Sequence, residues 1–146
     1  MSASRSASDI RLRSLKHTEE LVWLGQQVAG IQPVYAMALG IFLQPVSTTK
    51  FQQAFVRLTE RFEPLQAAMQ GNGGDGQKQR YLAYGPAFAA ALPLLDFSAE
   101  ADALGAARRW MGERAARPFD PASPLCDSAL LKLNDDQVIW FINQHH

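Results

Sequence analysis

Residues 34–43 read Val-Tyr-Ala-Met-Ala-Leu-Gly-Ile-Phe-Leu, with no charged side chain and no apolar/polar alternation, between Pro33 and Pro45. Gly40 and the flanking prolines disfavour a helix here, whereas a strand buried on both faces is written this way. A doubly covered, central strand needs a layer on each side, so this run predicts a sheet with helices packed on it.

The rest of the chain can supply those layers. Ser47 or Thr48 caps a helix in which Phe51, Ala54, Phe55, Leu58 and Phe62 repeat at helical spacing, and Pro64 ends it. Thr18 caps an earlier helix, with Glu19 and Glu20 in its first turn, Leu21, Leu24 and Val28 as its inner stripe and Gly30 as its stop. A third begins near Ser98, places Leu104, Ala107, Met111 and Ala115 inward, carries Arg114 and Arg117 at its end, and closes at Pro118. Residues 65–70 and 77–84 read as strands around a glycine-rich loop. Residues 125–133 and 137–144 read as strands joined by Asn134-Asp135-Asp136. The expected fold class is α/β, a mixed sheet with helices packed on it. Residues 1–14, polar and small at the start, are expected to be a flexible leader to a unit spanning 15–146.

Composition narrows the function. A length of 146 residues, 47% of them apolar, suits one domain or part of one. Fourteen basic against fourteen acidic residues leave no net charge to draw the chain to nucleic acid or an anionic membrane, so neither is expected as a partner. The single cysteine, Cys126, rules out an internal disulfide and a Cys-rich metal cluster, and suits a reducing compartment. With no membrane-length apolar run and no signal-like start, the expected location is cytoplasmic. The chain stops at Ile142-Asn143-Gln144-His145-His146, straight after an apolar strand, an unusual place for a domain to end.

Few residues carry candidate chemistry. Gly71-Asn72-Gly73-Gly74-Asp75-Gly76 satisfies G-x-G-x-x-G, with Asp96 downstream, but a polar strand-like run follows it rather than the helix a dinucleotide site needs. A hairpin loop is the simpler reading. Cys126 falls on the strand face of Ser128, Leu130 and Lys132 and reads as a small apolar residue rather than a nucleophile. Trp23, Trp110 and Trp140 read as packing, and His17 as a surface residue. Strand alternation puts Val138, Trp140, Ile142 and Gln144 on one face and Ile139, Phe141 and Asn143 on the other. A continued strand sends His145 and His146 to opposite faces, so they cannot share a metal, and no metal is expected. An imidazole at a strand end suits general acid/base work, although two partly buried structural histidines are the simpler reading of the pair.

Several separated stretches together resemble the condensation domain of nonribosomal peptide synthetases, within the chloramphenicol-acetyltransferase-like acyltransferases. Thr18-Glu19-Glu20-Leu21-Val22-Trp23-Leu24-Gly25-Gln26-Gln27 resembles that family's opening helix, and Pro33-Val34-Tyr35 its first strand. Arg61-Phe62-Glu63-Pro64-Leu65-Gln66 is similar to its Arg-His-Glu-x-Leu-Arg. Arg117-Pro118-Phe119-Asp120 with Pro124-Leu125 is similar to its Arg-Pro-Phe-Asp segment. Trp140-Phe141-Ile142-Asn143-Gln144-His145-His146 resembles the strand that delivers the His-His-x-x-x-Asp-Gly motif. Phe62 and Gln66 depart from the family's His and Arg.

The resemblance implies the N-terminal lobe of a two-lobed, chloramphenicol-acetyltransferase-like fold, cut within its motif. It implies His146 as the catalytic residue, with His145 flanking and structural. It implies substrates carried on the phosphopantetheine arms of peptidyl or acyl carrier proteins, no directly bound cofactor, and a missing C-terminal lobe as a further partner. The implied reaction joins a donor thioester to an acceptor amine as an amide. The piece alone is expected to be inactive and to expose apolar surface. The alternatives are a noncatalytic carrier-docking or scaffold lobe, or a relative that acylates alcohols or epimerises a tethered residue.

Overall fold

The computed structural model describes residues 10–30, 32–71, 80–118, 120 and 123–145. Among the described residues, two sheets, three α-helices and two short 3-10 turns make up the architecture. Strands β1 (Arg11–Ser14), β3 (Ala67–Gly71) and β4 (Arg80–Tyr84) form an antiparallel sheet in the order β1-β4-β3. Strands β2 (Ala36–Leu43), β5 (Leu94–Asp96), β6 (Cys126–Lys132) and β7 (Val138–His145) form a mixed sheet, ordered β2-β7-β6-β5, in which only the β5/β6 pair is parallel. The sheets meet where the Leu125 N–H donates to the Ala67 carbonyl at 2.9 Å.

The larger sheet is covered on both faces. Helix α2 (Thr48–Arg61) lies on one: Phe55 is buried, and Phe51 and Phe55 meet Trp140 edge-on at centroid distances of 5.4 and 6.4 Å. Helix α3 (Ala103–Ala115) lies on the other, with Ala107 buried and Trp110 edge-on to Phe141 at 5.3 Å. The expected alternation in β7 is observed, Val138, Trp140 and Ile142 facing α2 while Ile139 and Phe141 face α3. Helix α2 starts at its expected Ser47 cap, whose Oγ accepts from the Lys50 N–H at 3.3 Å.

Several expectations are corrected. The apolar run at 34–43 gives β2, which is not central but the edge of its sheet, paired only with β7; Met37, Leu39, Ile41 and Phe42 are exposed. Apolar content reports a surface that avoids water, and does not say which chain covers it. Helix α1 (His17–Ala29) turns the expected inner stripe outward: Leu21, Leu24 and Val28 are exposed, while Val22, Trp23 and Gln26 face inward. Its start is two residues earlier than a Thr18 cap allows, fixed by the Glu19 carboxylate accepting from the Lys16 N–H at 2.6 Å. Arg11–Ser14 of the expected leader is strand β1, held because Arg13 ion-pairs with Glu19 and bonds the Tyr84 hydroxyl. Finally, α3 begins at Ala103 rather than near Ser98, because Asp102 accepts from the Gly105 N–H at 2.9 Å and so closes the first turn. Ala54 of α2 and Phe62, the residue that caps its C-terminus, are exposed, and Thr59 takes a buried place on α2 instead.

Gly71 pairs with Arg80 across the β3/β4 hairpin, so the glycine-rich segment connects antiparallel neighbours and no helix follows it. Residues 72–79 themselves lie outside the described residues, as do residues 1–9 of the expected leader. A Cβ at Gly40 would come within 2.8 Å of Met111 Sδ, so any larger residue there makes the Met111 side chain shift where α3 rests on β2.

Candidate functional site

The central strand β7 carries the residues that the sequence singles out. It pairs with β2 from Val138 to His145 and with β6 from Val138 to Gln144, and the His145 N–H donates to the Leu125 carbonyl at 3.0 Å. Both backbone edges are therefore held up to its last residue. Inside, the Ser128 hydroxyl donates to the Phe141 carbonyl at 2.8 Å and accepts from Trp140 Nε1 at 2.9 Å, fastening β6 to β7. His145 is half-buried and borders a cavity; His146 lies outside the described residues. His17 is exposed at the start of α1, away from β7 in sequence and on the outside of the fold.

The cavity, about 400 Å³, lies under α1. Val22, Trp23 and Gln26 wall it from the helix, Met69 and Leu82 from the small sheet, and Gln144 with His145 from the end of β7. Arg13 fixes Glu19 at its rim with two bonds of 3.0 and 2.7 Å, and donates a third, of 2.9 Å, to the Tyr84 hydroxyl. Hydrogen bonding from Arg13 holds the Glu19 carboxyl below its usual range, and the Arg13 guanidinium is raised chiefly by the same bond. Gln26 Nε2 donates to the carbonyls of Gly30 and Gln32 at 2.9 and 2.7 Å, closing the C-terminus of α1 where Gly30 turns to a φ of 66°.

A second cleft, about 440 Å³, lies between the end of α3 and β6. Arg114 grips Asp127 with bonds of 2.6 and 3.0 Å, and this raises the guanidinium pKa. Asp127 is the cross-strand partner of Asn143, which is 2% exposed. Cys126 borders the same cleft but is buried, and burial, aided by the Asp127 charge, pushes its thiol up to about 11. A thiol in that state is protonated near neutrality and makes a poor nucleophile. Among the described residues, no three His, Cys, Asp or Glu side chains converge to hold a metal ion, and no helix is long and apolar enough to cross a membrane.

The structure thus joins His145 to Trp23 and Gln26, which the sequence placed apart, while Cys126, paired across the strands with Gln144, borders the other cleft and His17 is exposed at the start of α1. The Arg13–Glu19 and Arg114–Asp127 pairs carry no sequence signal as pairs. Only Glu19, three residues after Lys16, has the spacing of a helix-start motif.

No protein-family model matches the sequence. Relatives and solved structures do. The isonitrile lipopeptide synthase of Streptomyces coeruleorubidus is 32% identical over 136 residues, 92% of this chain and 9% of the synthase. The phosphinothricin tripeptide synthetase PhsC of Streptomyces viridochromogenes is 31% identical over 135 residues, 90% of this chain and 12% of the synthetase. In structure, the starter condensation domain of rhizomide synthetase RzmA matches with a TM-score of 0.76 and 28% identity, over 93% of this chain and 33% of that one. The chain is a condensation-domain relative. It spans about a third of the solved condensation domain and about a tenth of each synthetase.

The quoted condensation-domain stretches now have places. The opening one is α1. Arg61-Phe62-Glu63-Pro64-Leu65-Gln66 runs from the end of α2 through the 3-10 turn Glu63–Gln66. There the Gln66 carboxamide, where the family has Arg, bonds the Thr59 carbonyl, and Phe62, where the family has His, is exposed. Phe119 of the Arg117–Asp120 stretch lies outside the described residues, while Asp120 accepts from the Ser123 hydroxyl at 3.0 Å.

Proposed function

We propose that this chain is the part of a condensation-type acyltransferase that delivers the start of the His-His-x-x-x-Asp-Gly motif, in an enzyme that makes amide bonds during nonribosomal peptide synthesis. The observation that carries the reading is β7, paired with a strand on each side and packed on by helices on both faces, which runs without a break to His145. A strand bonded on both edges is a rigid mount for a catalytic side chain.

In the proposed reaction the acceptor's neutral α-amine attacks the carbonyl carbon of the donor thioester. A C–N bond forms, the C–S bond breaks, the amine proton passes to the His146 imidazole, and a proton returns to the departing pantetheine thiolate. Carrier proteins bring both substrates on phosphopantetheine arms. The exposed apolar stripe Leu21, Leu24 and Val28 on α1 supports contact with such a partner, and the open apolar edge of β2 supports cover by the remainder of the domain.

Carrier-dependent amide formation by the intact protein tests this reading. His146→Ala is expected to lower turnover at least a hundredfold, and His145→Ala to act mainly through stability. Unchanged turnover in His146→Ala overturns the catalytic assignment and returns the chain to a docking or scaffold role. An alcohol acceptor, or inversion of a tethered residue without amide formation, assigns it to the related chemistries instead.

A further inference from the structure

The parallel pairing of β5 with β6 stops early, and the stop leaves a slot. Leu94 is level with Leu130, whose N–H donates to the Pro93 carbonyl at 2.8 Å. Backbone groups alternate in direction along a strand, so Ser128 turns its own N–H and carbonyl to the same edge of β6. One rung earlier, the ladder needs the Ala91 carbonyl for the Ser128 N–H and an N–H at position 93 for the Ser128 carbonyl. Proline has no N–H to give. The chain before it is drawn off elsewhere: the Ala90 N–H donates to the Leu65 carbonyl and Gln52 Nε2 to the Leu92 carbonyl, both at 2.8 Å. The cleft of about 440 Å³ opens at this point, with Ala89, Ala91 and Pro93 on one side and Cys126, Asp127 and Ser128 on the other.

Asn143 is an independent observation at the same place. It is 2% exposed, lines the cleft, and its amide oxygen meets no hydrogen-bond partner among the described residues. Leaving a buried carboxamide oxygen unmatched is costly, so the atom marks where a donor from outside is wanted. Charge is balanced here: Arg114 and Asp127 hold each other, and Arg117 and Asp120 are of opposite sign. The slot therefore offers a strand edge and a carboxamide without net charge. An extended peptide matches that set, because it brings N–H and C=O groups at strand spacing. Facing β6 is methyl surface from Ala89 and Ala91, and among the described residues no aromatic ring lines the cleft. Without such an anchor affinity is low, and it counts only at the high effective concentration of a tethered segment.

We propose that this cleft is a peptide-docking slot, filled in the intact protein by an extended, uncharged segment of the same polypeptide outside residues 1–146, which pairs with Ser128 and donates to Asn143. The proposal rests on the reading above that this chain is part of a larger synthetase.

Hydrogen exchange of the intact protein, followed by mass spectrometry, tests it. Two variants block the slot: Ala91→Trp, at an exposed position, and Asn143→Leu, which keeps the side chain's size and removes its amide. Each is expected to speed exchange about tenfold or more in one stretch outside residues 1–146. Ala91→Ser should leave that stretch as it is in the native protein. Where Asn143→Leu fails to fold, Ala91→Trp decides. No faster-exchanging stretch in the folded variants overturns the proposal, as does an intact-protein structure in which the cleft holds solvent alone. Protection that rises with protein concentration assigns the slot to a second molecule and overturns the tethered occupant. Carrier-dependent amide formation is measured in parallel on the native protein. Amide formation without a protected stretch sinks the slot alone; a docked stretch in a protein that forms no amide sinks the acyl-transfer reading and leaves the slot standing.

Discussion

Strands β2 and β7 are neighbours over eight paired residues, and their sequences look alike, each dominated by Ile, Leu, Phe, Val, Ala or Trp. Their surroundings differ. Strand β7 lies between two strands and two helices, with Phe141 only 1% exposed, whereas β2 has a strand on one side and leaves Phe42 57% exposed. An apolar run therefore identifies a strand that needs cover without identifying the cover. For β7 it comes from this chain's α2 and α3. For β2 this chain supplies α3 only around Gly40, and Met37, Leu39, Ile41 and Phe42 stay exposed.

The contrast can be broken at its strongest point first. Phe141→Ala removes a buried ring packed on Trp110 and should cost about 3–5 kcal/mol, read as a shift in the urea midpoint; a loss below about 1 kcal/mol would mean that β7 is not the core strand. Gly40→Leu pushes a side chain into Met111 where β2 meets α3, and about 1–3 kcal/mol of strain is expected, with a matching fall in melting temperature. Had β2 no helix over that position, the substitution would be silent. Phe42→Ser on the exposed part of β2 should change the stability of this chain by about 0.5 kcal/mol or less, yet reduce its aggregation in light scattering. A larger cost in the intact protein would show that the missing cover sits on Phe42.

The smaller effects concern ionisation. Glu19 has a folded-state pKa held below its ordinary 4.5 by Arg13, so its stabilising contribution is complete above 4.5 and fades as pH falls through the depressed value. Glu19→Gln should therefore flatten the acid limb of a stability-versus-pH curve and leave the curve above pH 6 parallel to that of the native chain. Because the pair is about one-third exposed, the effect should be modest. With its thiol near 11, Cys126 should resist iodoacetamide at pH 8 in the folded chain and react promptly in urea. Rapid labelling under native conditions would place the start of β6 outside the core.

Much of the site was legible before the fold was known. The β7 alternation, the α2 cap, the 134–136 turn and the hairpin nature of the glycine loop follow from local chemistry, since neighbours in sequence decide dihedral angles, caps and side-chain faces. The short β5 was not legible, because three residues pairing in parallel with β6 leave no periodic trace. Nor was the orientation of α1: Leu21, Leu24 and Val28 make as good a stripe as Val22, Trp23 and Gln26, and choosing between them needs the small sheet beneath.

The sequence by itself thus determined the elements, the faces of β7 and the stretches shared with condensation domains, all of which are written in short-range spacing. Tertiary structure alone decided that β7 rather than β2 is central, that α1 turns Trp23 and Gln26 over a cavity ending at His145, and that Arg13 and Arg114 find Glu19 and Asp127. The physical reason is that burial and ion pairing depend on which surfaces meet, and surfaces distant along the chain meet only when the whole sheet is assembled.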